Sequence, residues 1–95
     1  MSERLDSLKR AVETACNCKA SHISSTPVKE TFRGETVWEG VIETFGLEGH
    51  INASRCYAFP FIRDDKPEIK TVLGLPPIDS PHSALRAAIA ASVRE

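Results

Sequence analysis

The chain has no apolar run approaching the roughly 18 residues that a membrane helix needs. Its first ten residues, MSERLDSLKR, carry charges where a secretory signal would hold its apolar region. A cytoplasmic protein with no membrane partner is the expectation. A basic block is also missing. Eight acids and six bases fall between Met1 and Glu48, five acids and six bases between Gly49 and Glu95, and the net charge is -1. No electrostatic footprint for nucleic acid exists, so no nucleic-acid partner is expected. Cysteine is scarce, and its count of three is odd. That suits reduced thiols rather than a disulfide framework. The five glycines are scattered, so no glycine-rich loop opens a helix to cradle phosphate. Internal repeats and low-complexity segments are absent.

What remains is an ordinary globular balance, 41% apolar and 26% charged over 95 residues. One domain over 1–95 is expected. A chain this short buries about 60–65% of its unfolded surface, so pairing with a second copy would add stability.

Leu5, Leu8, Val12 and Ala15 recur at steps of three or four, which predicts an amphipathic helix with Ser2 as cap. Asn17 is a suitable left-handed exit. From Ser21 the period becomes two. The strand there contains Pro27, which places it at an edge or a bulge. Gly34 supplies a turn, and a second strand runs from Val37 to about Phe45. SRCYAFPFI and IKTVLGL read as a third and fourth strand, the latter stopped by Pro76 and Pro77. Ser80 and Pro81 open a last helix with Leu85, Ala88, Ile89 and Val93 on one face. The fold class is α+β, in the order α-β-β-β-β-α: a four-stranded antiparallel meander with both helices packed on one face.

Neither sheet face reads as purely polar. Trp38, Tyr57, Phe59 and Phe61, with Arg55, are therefore expected to form a ligand or partner surface. On the other parity, Glu39 and Glu43 flank Val41. They are expected about 7 Å apart, a spacing for paired acid–base work. His50, after Gly49 in a tight connection, is a further acid–base or ligand candidate, with turn capping as the more ordinary role. Cys16, Cys18 and His22 could supply three metal ligands, but no second cysteine pair follows, and no metal is expected. Cys56 with His50 could form a nucleophile and base, though a mid-strand cysteine is ordinarily a small core residue. No cofactor is expected.

Val37-Trp38-Glu39-Gly40, Glu43, Phe45, Gly49-His50 and Ala53 precede Arg55-Cys56-Tyr57-Ala58. Pro76-Pro77, Asp79-Ser80-Pro81 and Arg86-Ala87-Ala88-Ile89 follow. In this pattern, from about His22 to Ile89, the chain resembles a family of small uncharacterised bacterial proteins. They are associated with proteobacterial genomes and integron gene cassettes. The resemblance implies a compact α+β domain, oligomeric, with no catalytic role. The chain departs from the pattern at Phe59-Pro60, where tryptophan and a polar residue are expected, and at Cys16-Asn17-Cys18. The leading expectation is a non-enzymatic homodimer or higher homo-oligomer with a small-molecule or protein partner. The alternative is a small enzyme with a pocket at the sheet, using His50 with Glu39 or Glu43.

Overall fold

The computed structural model describes residues 3–63 and 65–93. Ser2, the expected cap, lies outside them, as does the side chain of Val93. The elements are α1 (Glu3–Cys16), β1 (Lys19–Phe32), β2 (Glu35–Glu48), β3 (Arg55–Arg63), β4 (Lys66–Leu73) and α2 (Pro81–Val93). The four strands form one antiparallel sheet in the order β1-β2-β3-β4. The expected meander and element order are thus present, and Pro27 lies on an edge strand.

Local chemistry accounts for the joints. α1 ends as Asn17 turns left-handed, with φ 52°. Arg33 and Gly34 both take positive φ, the requirement of a two-residue hairpin turn that follows the strand twist. Ser80 caps α2: its Oγ accepts from the Ser83 amide at 3.1 Å, and Ser83 Oγ accepts from the Ser80 amide at 3.0 Å. This is a reciprocal cap with serine in the position usually held by a glutamate. α1 buries Leu8 and Val12, and Cys16 rather than Ala15 continues the stripe at the next step of four.

The expectation that both helices share one face is corrected. Leu8 and Val12 of α1 pack with Ala20, Phe45, Cys56 and Ala58. Ala84, Leu85 and Ala88 of α2 pack with Ile42, Tyr57, Phe59 and Phe61. Cys56 and Ala58 alternate with Tyr57, Phe59 and Phe61, so these sets point to opposite faces of β3. The helices therefore sandwich the sheet. The physical reason is that β3 is apolar on both sides, and a strand of that kind must be covered on both.

The β2–β3 ladder runs only from Gly46↔Arg55 to Glu43↔Ala58. Two residues on stands Pro60, which has no N–H to give. Trp38 bridges the gap instead: its indole Nε1 donates to the Pro60 carbonyl at 3.0 Å. The indole also lies over Gly40, where an added Cβ would sit 3.0 Å from the ring, and meets Phe59 edge-on at 5.7 Å.

Two cores separated by a sheet should respond independently. Val12→Ala and Ile42→Val are each expected to cost about 1–2 kcal/mol. Their sum should match the double variant within about 0.5 kcal/mol in urea unfolding. A larger coupling would mean that the two clusters are one.

Candidate functional site

The α1-side face of the sheet carries the strongest polar cluster. β1 is bulged between His22 and Ser24: Phe45 pairs with His22, Thr44 with Ser24 and Glu43 with Ser25. Ile23 is the extra residue. The bulge puts His22 and Ser25, three apart in sequence, on one face beside Glu43. Glu43 is only 2% exposed. Its Oε1 accepts a short hydrogen bond from Ser25 Oγ and lies 2.9 Å from His22 Nε2. Ser25 Oγ is 3.2 Å from the same Nε2, and the His22 ring meets Phe45 edge-on at 5.5 Å.

Serine, histidine and glutamate invite comparison with a nucleophile, base and orienting acid. In such a triad the imidazole stands between the other two and uses a different nitrogen for each. Here Nε2 faces both partners, and the serine gives its single proton to the carboxylate. Ser25 is hydrogen-bonded to the carboxylate itself, not to an imidazole that the carboxylate orients. The cluster satisfies a buried carboxylate.

The expected acid–base set does not assemble. Glu39 and Glu43 share a face, but two strand repeats separate them, about 13 Å along the backbone rather than about 7 Å. Glu39 is exposed and faces Lys29 across the ladder. His50 lies beyond the end of β2, at least about 16 Å along the strand from Glu43. Its Nδ1 accepts from the amides of Asn52 at 3.2 Å and Ala53 at 3.0 Å. His50 is a turn cap, as its ordinary reading holds.

The expected aromatic surface is corrected as well. Tyr57, Phe59 and Phe61 are buried beneath α2, and Trp38 is half-buried against them. Only Arg55 is exposed, and with Tyr57 it lines a cleft of about 350 Å³ at the α2-side end of the sheet. Cys56 is fully buried; burial above all, with the neighbouring Cys16 thiol, pushes its own thiol up to about 12. That removes it as a nucleophile near neutral pH. Among the described residues, no group of three or more His, Cys, Asp or Glu could hold a metal ion. No helix among them is long and apolar enough to cross a membrane.

One cluster escaped the sequence reading. Glu30 Oε2 lies 2.7 Å from His82 Nε2 and accepts from Arg86 Nε at 3.1 Å. His82 and Arg86 stand four apart, one turn of α2, and together grip the edge strand. That spacing was a visible signal, but its partner lies 52 residues away from His82.

Beyond the Glu43 cluster, the α1-side face is apolar and open. Pro27 faces Val41, and Pro60 faces Ile69, on the face that carries Glu43 and Ala58. Ile62 continues it, opposite Pro67. Ile62 is 72% exposed and Ile69 42%; Pro27 and Pro60 are exposed and Val41 half-buried.

Two outcomes test these assignments. Ser25→Ala should cost about 1–3 kcal/mol in urea unfolding, because a buried acceptor loses a donor. A cost near zero would deny the cluster its structural role. The Glu30 carboxyl is held below its ordinary 4.5, first by the Arg86 hydrogen bond and then by that of His82. Its contribution to stability is therefore complete above the ordinary value and lost as pH falls through the lowered one. Trp38 faces Glu30 across the ladder and brings no charge, while Lys29 points to the other face. From pH 6 to about pH 3, wild type should lose more urea resistance than Glu30→Gln. Parallel curves would contradict the assignment. Compared with known protein families, curated proteins and solved structures, the chain matches none of them.

Proposed function

We propose that this chain is a non-enzymatic, self-associating interaction module. A second copy docks on the open α1-side strip of the sheet. The observation that carries the reading is a row of apolar residues on all four strands, Pro27, Val41, Pro60 and Ile69, which α1 stops short of covering. Ile62 extends it as the most exposed isoleucine of the strip.

The occupant is argued from charge and area. The strip's one opposed charged pair is Lys29 and Glu39. The strip thus carries one charge of each sign, and a second copy presents it with the same neutral, apolar surface. An acidic or basic partner would leave one of these charges opposed by its own sign. Four strands span about 19 Å, and the strip is of similar length, on the order of 400 Å² in projection. Side-chain relief adds to that, so two copies bring together roughly the 1,000 Å² of a small specific interface.

No geometry favours the enzyme alternative, since Glu39, Glu43 and His50 do not meet. Sedimentation velocity over a concentration series tests the module. The wild-type chain should be dimeric at about 100 μM, dissociating in the micromolar range expected of a small interface. Ile62→Glu with Ile69→Lys should be monomeric with an unchanged circular dichroism spectrum. A monomeric wild type, or a double variant that still dimerises, would sink the proposal.

A further inference from the structure

The cleft beside Arg55 lies on the other face of the sheet, at the end that α2 leaves open. Ser54, Arg55, Tyr57 and Gly74 line it together with the loop 76–79. At about 350 Å³ it is at the small end of ligand sites.

Tyr57 is the informative residue. The residue is 2% exposed, and its hydroxyl makes no hydrogen bond among the described residues. The one buried side-chain polar atom left without a partner among them is Thr44 Oγ1, so the Tyr57 hydroxyl is the part of the ring that reaches solvent. The ring's direction shows where the hydroxyl lies. Tyr57 Cε2 is 3.4 Å from the point where a Cβ on Gly74 would stand. Cε2 is bonded to the carbon that bears the hydroxyl, so the phenol end reaches the Gly74 rim of the cleft. The glycine leaves that rim clear.

The charges around the hydroxyl are also unspent. The Arg55 guanidinium makes no ion pair or hydrogen bond among the described residues. The Asp79 carboxylate, which also lines the cleft, receives only a long 3.5 Å contact from Ser83 Oγ at its Oδ1 among the described residues. Arg55 and Asp79 thus share a small cleft without pairing. Pro76, Pro77 and Ile78 add apolar lining to the same cleft.

We infer that this cleft binds a small zwitterion with a short apolar body, of the free amino acid class. The carboxylate would meet Arg55 and accept from the Tyr57 hydroxyl. The ammonium would meet Asp79, and the side chain would lie on the prolines and Ile78. A dianion such as phosphate is disfavoured by Asp79. A plain amine would leave Arg55 and Tyr57 without a partner.

The test uses the intact chain and three probes of similar shape: leucine, isocaproate, which lacks the ammonium, and isopentylamine, which lacks the carboxylate. Amide chemical shifts report binding at Gly74 and Tyr57, whatever the oligomeric state. Leucine should saturate with a dissociation constant near or below about 1 mM. Each of the other two should bind about tenfold more weakly, the scale of one charge-assisted contact. Tyr57→Phe keeps the buried ring and should weaken leucine about tenfold, as should Arg55→Ala at the surface. No shift with leucine up to about 10 mM would overturn the site. So would isocaproate binding as tightly as leucine, or affinity unchanged in both variants. Dimerisation rests on the other face, so loss of either result leaves the other standing.

Discussion

β3 is the constraint on which the rest of this structure depends. Its side chains are apolar in both directions, but unequal in size. Tyr57, Phe59 and Phe61 project to one side, and Cys56 and Ala58 to the other. Leaving either side in water would forfeit roughly 1.5–3 kcal/mol for each large residue. Each helix is therefore recruited to one face. The alanine-rich α2 lies over the bulky aromatics, where its slim surface lets the backbones approach. α1 brings Leu8 and Val12 to the small residues, which leave them room.

The lengths then decide what stays open. A 14-residue helix such as α1 is about 21 Å long, whereas the 14-residue strands β1 and β2 are about 46 Å. One short helix per face cannot cover such a sheet. On the α1 side the uncovered remainder is the apolar strip around Val41 and Ile69. On the α2 side it is the Arg55 cleft at one end and a groove of about 520 Å³ by Phe32, Val37 and Ile89 at the other. Glutamates fasten the hairpin and helices at the edges of the covered regions. Glu13 Oε2 accepts from the Ala20 amide at 3.1 Å, Glu30 holds α2, and Glu43 ties His22 to Ser25. Acids that read as solvated faces in a linear sequence thus become joints.

Periodicity made the element order legible, because a helix stripe and a strand alternation each need only local sequence. The Asn17 exit and the Ser80-Pro81 start were legible for the same reason. The two-sided covering was half-visible: parity placed aromatics on a face with charges, but parity cannot say which helix goes where. The His22–Ser25–Glu43 cluster was hidden by the bulge. In an unbroken strand, residues 22 and 25 point to opposite faces, and only the extra Ile23 brings them together. The Glu30 clamp depends on a pairing across most of the chain, and no local rule reports it. In the linear sequence Arg55 and Tyr57 read as part of an exposed aromatic sheet. They share a cleft instead, because α2 begins too far along the sheet to cover the end of β3.

The two open regions share one strand without sharing a side chain. Arg55 and Tyr57 point toward the cleft, and Pro60 and Ile62 toward the strip. The alternation of a β-strand puts these pairs on opposite faces, and the strand's length separates them along its axis. A second copy on the strip would not occlude the cleft, and a ligand in the cleft would touch β4 and the loop into α2 rather than the dimer seam. Coupling between them would have to pass through the packed Phe59 layer, which is held by Trp38, Phe61 and α2. The strip and the cleft are therefore separate surfaces of one small sheet, each left open where the single helix on its face ends.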